Sequence, residues 1–133
     1  MNAEDITDSN GLNVLKNSLS AVSHITIETN QSCNLKCRAC YNLYHDAIKN
    51  LEQIKEEIDL AITKRNLETL SLIGGEPTLH PDLAEIISYI KSKGLICQLL
   101  TNGVRFIKEA NLIGKYKKAG LDRIILHVDT GQN

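Results

Sequence analysis

The chain has 133 residues and a net charge of −1. That length makes one domain the prior, and 42% hydrophobic with 23% charged residues reads as soluble and globular. The balanced charge, the four Tyr, the one Phe and the lack of Trp argue against a nucleic-acid partner, and no apolar run approaches the ~20 residues of a membrane span.

Met1 is not followed by a basic segment and an apolar core, so no secretory signal is read. Four cysteines then point to a reducing, cytoplasmic setting, where thiols serve metal or redox chemistry more often than disulfides. Residues 1–23 are mostly polar, with Leu12, Leu15 and Leu19 spaced for a short amphipathic helix over 12–20. They read as a leader to a domain spanning 24–133.

Ile25 and Ile27 alternate with His24, Thr26 and Glu28, the mark of a first strand over 24–30. Next comes a loop holding Cys33, Cys37 and Cys40, spaced C-x-x-x-C-x-x-C. From about 44 to 65, Ile48, Leu51, Ile54, Ile58 and Ile62 repeat at helical spacing, with charged residues between them on a solvated face. A second strand, Thr69–Ile73, ends in Gly74-Gly75-Glu76-Pro77. Pro81 suits the first position of a second helix, Leu83, Ile86, Ile87 and Ile90 its buried face, and Gly94 its stop.

The third strand, Leu95–Leu100, exits through Thr101-Asn102-Gly103, and its Cys97 reads as a small buried apolar residue. A third helix is expected over about 105–119, with Phe106, Ile107, Ala110, Ile113 and Tyr116 inward and Gly120 as its stop. Ile124–Asp129 reads as the fourth strand, with Leu126 and Val128 toward the helices and His127 and Asp129 on the opposite face.

This order, β-α-β-α-β-α-β with short loops, implies an α/β fold with parallel strands and right-handed crossovers. The strands are apolar enough to be covered on both faces. All four strand ends then fall on one rim, where parallel folds build their sites. The cysteine loop, the Gly-Gly-Glu-Pro turn, Thr101-Asn102-Gly103 and His127/Asp129 each sit there.

Three thiolates on so short a loop can wrap one inorganic centre. Structural zinc usually takes four protein ligands in two close pairs, and iron–sulfur clusters are likewise held by cysteine thiolates. Three thiolates on a [4Fe–4S] cluster leave one iron open to a further ligand, as a catalytic metal keeps an open position. Spacing alone leaves three readings: an open cluster, a carrier or sensor cluster, and a structural zinc site completed by His45 or Cys97. His24, His45 and His80 read as surface or loop residues.

Ser32 to Tyr41 resembles the cluster loop of the radical S-adenosylmethionine (radical SAM) enzymes. Gly74-Gly75-Glu76-Pro77 resembles that family's methionine-binding motif, and Thr101-Asn102-Gly103 follows in register, so the resemblance runs from about Ile25 to Asp129. One departure stands out. The family often has an aromatic residue just before the third cysteine, and Ala39 stands here, which leaves adenine stacking at most to Tyr41.

The resemblance implies a partial TIM-type barrel, truncated here after the fourth strand, so that a C-terminal half is missing. It implies a [4Fe–4S] cluster on Cys33, Cys37 and Cys40, and S-adenosylmethionine held by Gly74, Gly75, Glu76, Pro77, Asn102 and Asp129. It also implies reductive cleavage to a 5′-deoxyadenosyl radical, hydrogen abstraction from an unidentified substrate, and a one-electron donor such as flavodoxin or ferredoxin.

Overall fold

The computed structural model describes residues 23–37, 40 and 47–128. The polar leader before Ser23, together with Tyr41, His45 and Asp129, lies outside them. Four strands alternate with helices: β1 His24–Glu28, α1 Leu51–Lys64, β2 Thr69–Ile73, a 3-10 turn Pro77–Leu79, α2 Leu83–Ser92, β3 Ile96–Thr101, α3 Val104–Lys108, α4 Leu112–Ala119 and β4 Arg123–Leu126. The strands form one sheet in the order β1-β2-β3-β4, and every neighbouring pair is parallel. The α/β architecture read from the alternation is the architecture observed.

Register sorts the strand residues onto two faces. Ile25 pairs with Leu70 and Ile27 with Leu72; Leu70 pairs with Cys97 and Leu72 with Leu99. Partners in a parallel pair share a face, and this face meets Ile54 and Ile58 of α1, Leu83, Ile86, Ile87 and Ile90 of α2, and Leu112 and Tyr116 of α4 in one core. The other face carries Thr26, Ser71 and Gln98. There the hydroxyl of Ser71 receives a bond from Gln98 Nε2 at 2.8 Å and lies 2.7 Å from His24 Nε2. Coverage on both faces was expected; among the described residues the helices cover one, and the other is polar through its middle.

Helix boundaries depart from the sequence pattern in two places. α1 starts at Leu51 rather than near 44, because Asn50 and Gln53 form a reciprocal capping box there. Ile48 is consequently no helical residue: it pairs with Asn30 in an antiparallel bridge and is 53% exposed. The third helix is two helices. Glu109 takes an extended conformation and Asn111 opens α4 afresh. The break shifts the helical phase, so Leu112 and Tyr116 are buried while Ile107 and Ile113, expected inward, are exposed.

β4 differs most. All four of its residues are exposed, and Leu126 and Val128, expected against the helices, are 59% and 78% exposed. Its entry is nonetheless fixed: Asp122 accepts from Lys91 Nζ at 2.6 Å and from the Cys97 N–H at 2.8 Å. Those donors, Lys91 first, hold the Asp122 carboxyl below its ordinary value of 3.8.

Two measurements check this packing. Ile87→Ala, at a fully buried α2 position, should lower stability to urea by about 2–5 kcal/mol. A depressed carboxyl contributes stability that is present above its unfolded pKa and lost as pH falls through the folded one. Below about pH 4, wild-type stability should therefore fall more steeply than that of Asp122→Asn, as read from denaturation midpoints across a pH series.

Candidate active site

The cysteine loop is closed at its base by backbone pairing. After β1, Thr29 and Gln31 meet the returning chain: the Gln31 N–H donates to Ala47 O at 2.7 Å and the Lys49 N–H to Thr29 O at 3.1 Å. His80 braces this neck, with Nε2 2.6 Å from Lys49 O and Nδ1 accepting from the Asp82 N–H at 3.0 Å. The pair of bonds assigns Nε2 as the protonated nitrogen. His80, expected as a surface or loop histidine, is a loop residue but is buried at 3% exposure.

The neck in turn is zipped to the turn after β2. The Gly75 N–H donates to Asn30 O and the Glu76 N–H to Ser32 O, both at 2.8 Å. Asn30, itself buried, sends its amide to Ser32 O, Ser32 Oγ and Glu76 O. The two glycines are required by this contact. A Cβ on Gly74 would lie 2.5 Å from Asn30 O, and one on Gly75 2.3 Å from Gln31 O and 2.4 Å from Ser32 O. The close neighbour that excludes a side chain here is the protein's own backbone.

Glu76 turns inward. Its carboxylate is buried and accepts from Thr78 N at 3.2 Å, Thr78 Oγ1 at 2.5 Å, Thr101 Oγ1 at 2.6 Å and the Asn102 N–H at 2.9 Å. Pro77 is also buried and opens the 3-10 turn. Arg105 closes the far side by donating to Thr78 O. Asn102 caps its own loop, as expected of this residue type, by accepting from the Val104 N–H at 3.1 Å. Its amide nitrogen reaches the cysteine loop, 2.8 Å from Asn34 Oδ1 and 3.9 Å from Cys33 Sγ.

The three loop cysteines are free thiols, Cys33 and Cys37 half-buried and Cys40 exposed. The Cys40 N–H bonds to Cys37 O at 3.2 Å. Burial pushes the Cys33 thiol up, as do the nearby Glu76, Cys37 and Cys40, while the Leu35 N–H, 3.5 Å from the sulfur, pulls it down. Among the described residues no three His, Cys, Asp or Glu side chains are gathered as a finished metal site. The donor set still suits an iron–sulfur cluster: it is all thiol, and the Cys33 sulfur already has N–H donors. Cys97 does not belong to it. It is buried under the helices near the start of β3, and burial pushes its thiol to about 12.

The family model for the radical SAM superfamily matches residues 27–133. The chain belongs to that superfamily. Members are enzymes that use a [4Fe–4S] cluster with S-adenosylmethionine. A probable GTP 3′,8-cyclase of Methanocaldococcus jannaschii is 34% identical over 113 residues, covering 82% of this chain and 37% of the relative. A 7,8-dihydro-6-hydroxymethylpterin dimethyltransferase of the same organism is 31% identical over 111 residues, 77% of this chain and 21% of the relative. In structure the chain is similar to Streptococcus suis SuiB bound to S-adenosylmethionine, with a TM-score of 0.65 at 19% identity, covering 93% of this chain and 30% of that one. The likeness to SuiB concerns the fold. The chain thus spans little more than a third of these radical SAM relatives at most.

Cys33, Gly74, Gly75, Glu76, Pro77 and Asn102 meet on one rim of the sheet, with Cys37 and Cys40 on the same loop; Asp129 lies outside the described residues. Sequence reasoning passed over Asn30 and Thr78, two buried polar residues that join the motifs, and gave Thr101 no role beyond its place in one. For the first two the one sequence signal is adjacency to a motif. Gly75→Ala should cost about 1–3 kcal/mol by overpacking. Gly114→Ala, in α4 with nothing within 4 Å of the added Cβ, should be neutral or stabilising. Parallel urea titrations read both.

Proposed function

We propose that this chain carries the cluster- and cofactor-binding part of a radical SAM enzyme, within residues 24–133. The observation that carries the reading is the zipping of the cysteine-loop neck to the Gly74–Pro77 turn by backbone bonds at 2.8 Å, which sets the base of the cysteine loop beside the loop that resembles a methionine site.

In this reading Cys33, Cys37 and Cys40 hold a [4Fe–4S] cluster with one iron left for the amino and carboxylate groups of S-adenosylmethionine. When bound, that pair supplies one-electron cleavage to a 5′-deoxyadenosyl radical, which takes hydrogen from a substrate. The chain's own residues orient and shield. Glu76, with its carboxylate committed to four donors, fixes the shape of its loop, and the loop meets the methionine end through its backbone. Asn102 holds the cysteine loop, and Asp129 contacts the ribose or methionine part. An external one-electron donor, a flavodoxin or ferredoxin, supplies the electron, and the free thiols suit the reducing cytoplasm. The substrate stays open: a GTP cyclase and a pterin dimethyltransferase match at similar identity, 34% and 31%, so identity at this level selects neither.

The test is anaerobic reconstitution with iron and sulfide, followed by EPR of the reduced protein with and without S-adenosylmethionine. The expected result is a [4Fe–4S] signal that changes when S-adenosylmethionine is added. Alanine at Cys33, Cys37 or Cys40 should abolish it, and Cys97→Ala should keep it. A signal indifferent to S-adenosylmethionine would leave an iron–sulfur carrier, and stoichiometric zinc in place of iron would leave a structural module.

A further inference from the structure

We infer that Asn102 sets the reduction potential of the cluster by donating an amide N–H to the sulfur of Cys33. The inference rests on the radical SAM reading above and adds a role for one residue within it.

Three contacts fix the Asn102 amide. Its Oδ1 accepts the Val104 N–H at 3.1 Å, so the carbonyl side faces α3 and the NH₂ side must face the cysteine loop. One N–H of that group meets Asn34 Oδ1 at 2.8 Å. The other points to Cys33 Sγ, 3.9 Å away. The backbone is pinned as well: the Asn102 N–H donates to Glu76 Oε1 at 2.9 Å, and Gly103 follows at φ +77°, a conformation that suits glycine. The donor is thus held from both ends.

A donor aimed at a ligand sulfur draws electron density off it. Adding an electron makes a cluster more negative and its sulfurs better acceptors, so the bond is stronger in the reduced state. Hydrogen bonds to sulfur are among the factors that set cluster potentials, and the groups that orient ligands tune the metal they hold. The Leu35 N–H, 3.5 Å from the same sulfur, is a backbone donor from within the loop. Asn102 is the side-chain donor to Cys33 among the described residues, and it comes from the third strand's exit. Asn102 is therefore a positioning residue with an electronic consequence. It makes the cluster easier to reduce by the external donor.

The experiment is a redox-poised EPR titration of the full 133-residue chain, reconstituted anaerobically, with iron content and the visible absorption spectrum measured alongside. Asn102→Ser keeps an oxygen within reach of the Val104 N–H but lacks the reach to Cys33; Asn102→Ala removes both. Asn34→Ala removes the neighbouring acceptor and leaves the Cys33 donor in place. We expect both Asn102 variants to bind iron as the wild type does, with a more negative midpoint. At a fixed ambient potential the reduced-to-oxidised ratio should fall roughly tenfold, or about 59 mV for a one-electron couple. Asn34→Ala should keep the wild-type midpoint.

A wild-type midpoint in Asn102→Ser overturns the inference. So does an equal fall in Asn34→Ala, which would assign the effect to loop order. Loss of iron uptake in both Asn102 variants also overturns it, in favour of a purely structural part. Failure of the wild type itself to take up a cluster would instead sink the radical SAM reading, so the two failures are distinguishable.

Discussion

The rim of this sheet is organised by one buried carboxylate. An ionised group taken out of water costs several kcal/mol unless its lone pairs are met. Glu76 meets that demand with hydroxyl and backbone N–H donors drawn from two loops: Thr78 on its own turn, and Thr101 and Asn102 at the end of β3. Removing any one leaves a buried acceptor short of a donor, which costs more than the bond contributes. The two loops are therefore held at a single separation. No buried side-chain polar atom among the described residues lacks a partner.

The second tie is made of backbone. Gly74 and Gly75 let the segment Asn30–Ser32 approach so closely that its carbonyls occupy the space of two side chains. Through this contact the base of the cysteine loop inherits the rigidity of the turn after β2, and through Glu76 that of the turn after β3. Three motifs far apart in sequence thereby become one rigid rim. Each supplies a surface that another requires.

Much of this was legible beforehand. The α/β alternation, the α2 face of Leu83, Ile86, Ile87 and Ile90, the buried Cys97, and the stops at Gly94 and Gly120 all follow from periodicity and composition, and all are present. The misses share a cause. Ile48 fits the helical period, but the capping box at Asn50 and Gln53 wins locally. Ile107 and Ile113 fit one continuous helix, but the chain breaks at Glu109. Periodicity reports which residues are apolar without reporting where a helix restarts. The inward turn of Glu76 was illegible for another reason: a charged residue in a glycine turn gives no sign whether its partner is a ligand or a threonine 25 residues later.

The strand order has a consequence for how the chain folds. Because β1, β2, β3 and β4 lie side by side in the order in which they occur, every new strand finds its template already laid down by the segment just before it. Each strand pairs with its neighbour across a single crossover, and because closure entropy grows only slowly with loop length, the long first crossover costs little more than the later ones. Assembly by such accretion can keep pace with synthesis from the amino end. The strand laid down last is also the least covered of the four, all four of its residues being exposed.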